Sequence, residues 1–226
     1  MPDRKQAFGV TEDEGGFGMG DDAMPSRPPG RARATTHGHL SHVALELFVS
    51  RGFDDTTMDD VAAAAGVSRR TLFRYYPSKN DLPWGDFDGM LAAMRAHLGG
   101  MPADLPMADA LREAVLTFNT FPPAERSLHR ERMRLLLTVP ALLAHSTLRY
   151  AEWRQVVAEF AAARMGRSPD DLEPQAAAWA CLGVCIAAYE QWLAHDDADL
   201  LRLLDAAFSW VGTGASAIAA GGEDRV

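Results

Sequence analysis

An all-α fold is predicted by three features of the chain. From Ala34 onward apolar residues recur with a helical period almost everywhere, Ala, Leu, Met and Arg are abundant, and no stretch alternates β-branched residues as a half-buried strand does. Prolines at positions 102, 106, 122, 123, 140 and 169 cut that pattern into separate helical lengths. A hydrophobic fraction of 47% over 226 residues is enough for a packed core, so disorder of the whole chain is excluded.

Residues 1–33 stand apart, with six Gly, four Pro, the acidic Glu12-Asp13-Glu14 and Asp21-Asp22, and then Arg27, Arg31 and Arg33. Such a composition buries too little apolar surface to offset its ordering entropy, and it reads as a disordered tail with a basic end. A small domain follows at 34–80. Leu40, Val43, Ala44, Leu47 and Phe48 form the apolar stripe of a first helix ending near Gly52. Thr57 caps a second helix with Asp60 as its capping-box partner, and Gly66 stops it where a left-handed residue is needed. Ser68 caps a short third helix through Tyr75, and Pro77 ends it. Ser78 is read as the cap of a fourth helix carrying Trp84, Phe87, Leu91, Met94 and Leu98, which opens a larger helical domain at 81–215. Further helices are expected at Met107 to Phe118, Ala124 to Val139, Ala141 to Met165, Pro174 to Ala194 and Asp199 to Gly212, with a second disordered tail at 216–226. The total is about nine helices.

The charge total narrows the function classes only when it is divided. A net charge of −9 normally repels phosphate and argues against a polybasic membrane-surface or histone-like role. Between Val67 and Lys79, however, there are four basic residues and no acidic one, whereas from Pro83 to the end 12 basic residues face 19 acidic ones. Two Cys exclude a disulfide framework and suit a reducing compartment, so a cytoplasmic protein is expected. No apolar run follows the first charges, so no signal peptide is read. The longest uncharged apolar stretch, Pro174 to Tyr189, is 16 residues, short of the roughly 20 that span a bilayer, and reads as a buried helix.

Thr57 to Tyr76 has the layout of a helix-turn-helix, in which the second helix enters the major groove of DNA. Val67, Leu72 and Tyr76 fall on the inward face, which leaves Arg69, Arg70, Phe73 and Arg74 outward. Arginine forks onto guanine O6 and N7, and Thr71 or Phe73 suits a thymine methyl. The hydroxyls of Thr57, Ser68 and Tyr75, the helix ends the first two cap, and the Lys79 ammonium suit phosphate, which positions the reading helix without reading sequence.

At these residues the chain resembles the DNA-binding domain of the TetR family of transcriptional regulators. The likeness runs from about Leu40 to Leu82 and rests on Gly52-Phe53, Thr56-Thr57, Ala65-Gly66-Val67-Ser68, Tyr75-Tyr76 and Ser78-Lys79 together. Beyond it, "PSKNDLPWGDFDGM", "VPALLAHSTLRYAEWRQVV" and "AAYEQWLAHDDADLLRLLDAA" resemble the subgroup associated with mycofactocin systems. The resemblance implies a homodimer, a palindromic operator and release from double-stranded DNA when a small molecule enters the C-terminal domain. Its implied DNA contacts are Thr57, Ser68, Arg69, Arg70, Thr71, Phe73, Tyr75 and Lys79. Arg70 departs from the family, which often has a small residue there, and either reads a base or touches phosphate. Arg27, Arg31 and Arg33 fit either an arm in the adjacent minor groove or a solvated tail.

An effector site is expected among Trp84, Phe87, Met90, Met94, Phe118, Phe121, Met133, Leu137, Trp153 and Trp179, whose bulk favours an apolar or amphipathic ligand over a sugar. Arg126, Arg130, Arg132 and Arg134 form either a receiver for the anionic head of such a ligand, an acyl thioester for example, or a solvated helix face. For the dimer, Ala176, Ala177, Ala180, Gly183, Ala187 and Ala188 allow close approach along the last two long helices, with Trp192, Leu200, Leu204, Ala207 and Phe208 adding apolar area. No metal or cofactor is expected. His37, His39 and His42 lack a carboxylate or Cys at ligand spacing, and Cys181 and Cys185, on one helix face, read as core, with a thiol sensor or soft-metal pair as the alternative. No nucleophile has a recognisable elbow, so an enzyme is not predicted. A helical dimeric adaptor that keeps the fold without sequence-specific DNA binding is the alternative, and the intact Arg69 to Tyr76 face weighs against it.

Overall fold

A computed structural model describes residues 36–220, with side chains through 212; the proposed arm at Arg27, Arg31 and Arg33 and the tail at 221–226 lie outside them. Among the described residues the chain is helical, without strands: α1 His37–Arg51, α2 Met58–Ala64, α3 Arg69–Tyr75, α4 Phe87–Gly99, α5 Met107–Phe118, α6 Arg126–Thr138, α7 Pro140–Met165, α8 Leu172–Ala194 and α9 Leu200–Ala220. Two 3-10 turns, Lys79–Trp84 and Pro123–Glu125, precede α4 and α6.

The first three helices close on Leu40, Ala44, Phe48, Phe53, Val61, Leu72 and Tyr76, all buried, with the Phe48 and Phe53 rings 5.0 Å apart. Local chemistry sets their ends. Thr57 and Asp60 form a reciprocal capping box, Ser68 accepts from the Thr71 N–H, and Gly66 takes φ +66°, which a side chain would strain. The Tyr76 hydroxyl donates to the carbonyl of His37 at 2.8 Å and ties the end of the reading helix to the start of α1.

The expected fourth helix is two elements. Ser78 and Asp81 cap only the 3-10 turn, Pro83 lies within it, Gly85 follows at φ +63°, and Asp86 starts α4 afresh by accepting from the Gly89 N–H. The apolar stripe from Trp84 to Leu98 runs through both pieces, so burial alone did not mark the break. The last helix is longer than expected and continues to Ala220, beyond the boundary read at 215.

In the larger domain α7 and α8 pack along one another, α9 lies on α5 and α8, and α4 joins α5 and α7. α6 touches α1 and the first 3-10 turn as well as α7 and α8. It therefore belongs to both domains. α8 spans 23 residues, starting two residues before the helix read at Pro174 to Ala194, and is long and apolar enough by length and composition to cross a membrane. Part of its apolar surface is buried against α7, α9 and α6.

Candidate functional site

Arg69, Arg70, Phe73 and Arg74 are exposed together on α3, opposite the buried Leu72 and Tyr76. Arg69 Nη1 donates to Asp59 Oδ2 at 2.8 Å, and its guanidinium lies 5.3 Å from the Phe73 ring centre. Arg74 stacks on Tyr75, which meets the His37 ring edge-on at 4.8 Å. Arg70 makes no ion pair among the described residues. Thr57, Ser68 and Thr71 lie at the two helix starts, where the Thr57 and Ser68 hydroxyls serve as caps, with 2.8 Å between Ser68 Oγ and Thr71 Oγ1.

Lys79 has another task than the one expected. Its ammonium donates to the carbonyls of Phe53 at 2.8 Å and Thr56 at 3.0 Å, reaches that of Asp54 at 3.4 Å, and sits 4.2 Å from the Phe53 ring centre. All three donors are engaged in closing the loop between α1 and α2. With its protons directed to these carbonyls, Lys79 holds the loop in place.

In the larger domain, seven of the ten expected effector residues line one cavity of about 80 Å³: Trp84, Phe87, Met90, Phe118, Phe121, Met133 and Trp153. Three do not. Met94 turns to a separate groove beside Ala93 and His97, Leu136 takes the place read for Leu137 one position along α6, and Trp179 is 57% exposed beneath the Arg154 guanidinium at 3.7 Å. Of the polar part of the lining, only Arg132 was read from the sequence, as one of four arginines offered either as a receiver for an anionic head or as a solvated face. That part comprises Asn119, His129, Arg132, Tyr150 and Tyr189, gathered from α6, α7, α8 and the end of α5.

Three of these form a buried chain. Tyr189 donates to Asn119 Oδ1 at 2.5 Å, His129 Nε2 lies 2.8 Å from the Tyr189 hydroxyl, and Asn119 Nδ2 donates to the Val115 carbonyl at 2.8 Å. Burial, reinforced by the charge of Arg132, pushes the His129 imidazole down to about 3 and keeps it neutral. Its ring stacks on Phe121 with centres 4.0 Å apart. Arg132 is itself held below the ordinary guanidinium range by burial, and its charge acts on Tyr76 of the small domain as well as on Tyr189. Of the other arginines, Arg130 lies on Trp192 and pairs with Asp196, and Arg134 pairs with Glu131. The two cysteines are buried, and burial pushes the Cys181 thiol up to about 12, which fits the core reading.

The first 3-10 turn joins the two regions. Lys79 at its start grips the α1–α2 loop, and Trp84 at its end lines the cavity. Between them Asp81 is buried: Oδ2 accepts from the Ser78 N–H and hydroxyl, and Oδ1 lies 2.9 Å from both His145 Nε2 and Arg149 Nη2 on α7. Burial alone would raise the Asp81 carboxyl, but the hydrogen bonds from Ser78, Arg149 and His145 outweigh it and hold the group below the usual carboxylate range.

Residues 40–82 match the description "Bacterial regulatory proteins, tetR family", and residues 105–216 match "MftR C-terminal domain". Over 185 residues the chain is 50% identical to MftR of Mycobacterium tuberculosis, named for transcriptional regulation of mycofactocin biosynthesis, covering 82% of this chain and 93% of that protein. The chain belongs to the TetR family of transcriptional regulators. The regulator is also 31% identical over 190 residues to TcmR of Streptomyces glaucescens, covering 80% and 84% of the two chains. Its fold matches FadR of Thermus thermophilus, solved with lauroyl-CoA, at a TM-score of 0.52 and 24% identity over 77% of this chain and 92% of that one. A TetR-family regulator of Syntrophomonas wolfei matches at 0.60 and 12% identity over 80% and 94%. These relatives are regulators and not enzymes, as expected from the lack of a nucleophile with partners.

The outer face of α8 and α9 divides the residues expected at a dimer contact. Ala180, Gly183, Ala187 and Ala207 line a shallow apolar groove with Trp210, which is 74% exposed and was not singled out from the sequence. Trp192, Leu200 and Leu204 are instead buried in the core of the chain itself.

Proposed function

We infer that the regulator is a ligand-released repressor that binds a palindromic operator as a homodimer in the cytoplasm. The observation that carries this reading is the single short turn that holds the α1–α2 loop through Lys79 and walls the cavity with Trp84. Two α3 helices, one from each protomer, would enter successive major grooves about one helical repeat apart, with Arg69, Arg70, Thr71 and Phe73 toward base edges and Thr57, Ser68 and Tyr75 toward phosphate. The α8–α9 groove with Trp210 suits an isologous contact.

The cavity supports an apolar effector, and an acyl thioester of the kind that the Thermus FadR holds is the ligand we favour. A volume of about 80 Å³ is well below the roughly 300 Å³ of an ordinary ligand site, so binding must part the helices that line it. Moving Trp84 moves the turn, and with it the spacing of the two reading helices. A clean switch from bound to released requires about 5.5 kcal/mol of preference for the released state.

Footprinting on the DNA upstream of the gene, with dodecanoyl-CoA added in steps, tests the reading. A protected palindrome that the thioester frees is the expected result. No protection at any site rejects operator binding, and protection that persists while the thioester binds rejects the release mechanism.

A further inference from the structure

A second cavity, of about 220 Å³, adjoins the first, and Asn119, Phe121 and His129 belong to both linings. The two differ in character. The inner one is walled mainly by aromatic and aliphatic side chains, whereas the outer one carries Arg126 together with Asp197 and Asp199. His129 stands between them and is 6% exposed.

The hydrogen-bond chain fixes what His129 offers. The Tyr189 hydroxyl has one proton, and it goes to Asn119 Oδ1, an atom that only accepts. His129 Nε2 must then be the donor to Tyr189, which leaves Nδ1 as a bare acceptor. That atom is buried with no hydrogen-bond partner among the described residues. One turn along α6, Arg132 Nε is a buried donor in the same condition. Trp84 Nε1 and the Tyr150 hydroxyl, on residues that line the same cavity, are also buried without a partner, and among these unmatched groups His129 Nδ1 is the one that can only accept.

We propose that the two cavities together hold the acyl–cysteamine junction of an acyl thioester, with the chain in the inner cavity, the thioester carbonyl on Arg132, the amide N–H on His129 Nδ1, and the neutral arm leaving through the outer cavity. This rests on the effector reading above and adds which groups of the ligand are read. A free carboxylate has no N–H to offer Nδ1, so it lacks the contact that marks the amide-bearing ligand. In the outer lining two carboxylates, Asp197 and Asp199, outnumber the one cation, Arg126, so the nucleotide end of such a ligand lies outside and contributes little.

Calorimetric titration of the full-length protein with S-dodecanoyl-N-acetylcysteamine, S-ethyl thiododecanoate and dodecanoate separates the ligand groups. The N-acetylcysteamine thioester is expected to bind about tenfold more tightly than the ethyl thioester, which lacks the amide N–H, and more tightly than dodecanoate, which has no N–H to give. In His129→Phe, which keeps an aromatic ring against Phe121, the two thioesters should bind alike. Equal affinities in the unmodified protein, or tighter binding of dodecanoate, would overturn the proposal without any variant having to fold. Operator release measured alongside keeps the two readings apart. The expected order of affinities without release overturns the switch alone, and release without an amide preference overturns this proposal alone.

Discussion

Replacing Lys79 with Met keeps most of the side chain's apolar stem and removes the ammonium that joins three loop carbonyls. Two of those hydrogen bonds, to Phe53 and Thr56, are short and partly buried, while the third is long and exposed. A charged hydrogen bond contributes about 1.5 to 3 kcal/mol, and the cation over the Phe53 ring adds about 0.5 to 1. These terms share one group and are partly solvated, so a loss near 2 kcal/mol is expected for the set. For a chain of this size that lowers the melting temperature by about 4 to 8 °C. The paired measurement is the salt dependence of DNA affinity, which should keep its slope in Lys79→Met at temperatures where both proteins are folded. A phosphate contact would instead lower that slope by about one and leave melting unchanged. That second pattern would refute the assignment of Lys79 to the loop.

Three further outcomes follow from the same geometry. Arg69→Ala should cost about 1 to 3 kcal/mol at the operator and relax sequence preference there, and gel shifts giving identical losses on operator and random DNA would remove Arg69 from the reading set. Leu72→Ala, at a fully buried position, should destabilise the fold by about 2 to 5 kcal/mol, whereas Phe73→Ala should leave the urea midpoint unchanged; equal losses would mean that the faces of α3 are misassigned. His129 is neutral in the fold down to about 3, while the unfolded chain binds its proton below the usual 6.5. The unfolded state therefore holds more protons in that window, and stability falls as pH drops from 6.5 toward 3, by about 1.4 kcal/mol per pH unit, with no contribution above it. Urea midpoints at pH 7.5 and 5.0 should draw together in His129→Phe, and an unaltered gap would disprove the linkage.

The small domain was legible because its determinants are local. Thr57 with Asp60, Ser68 with Thr71 and Gly66 each act within a few residues, and the inward Leu72 and Tyr76 follow from the helical period. The failures share the opposite property. Lys79 finds its carbonyls 23 to 26 positions away, and Asn119 and His129 meet Tyr189 across 70 and 60 positions, distances over which no periodicity speaks. Leu136 and Leu137 are chemically alike neighbours, and only the rotation of α6 against its surroundings decides which one lines the cavity. The division of the apolar groove from the core along α8 and α9 also depends on tertiary packing, because Trp192 and Trp210 look equivalent until Arg130 is found lying on the first.

The narrowness of the inner cavity has a consequence for time as well as for affinity. If the helices around Trp84 and Trp153 must part before a chain can enter, the rate of capture is set by how often they part and not by how often ligand arrives. Association then falls below the usual 10⁵ to 10⁷ M⁻¹s⁻¹, and the same closure delays escape. Such a protein averages over brief fluctuations in its ligand and responds to sustained supply. In this way a tightly packed core would act as a low-pass filter on transcription.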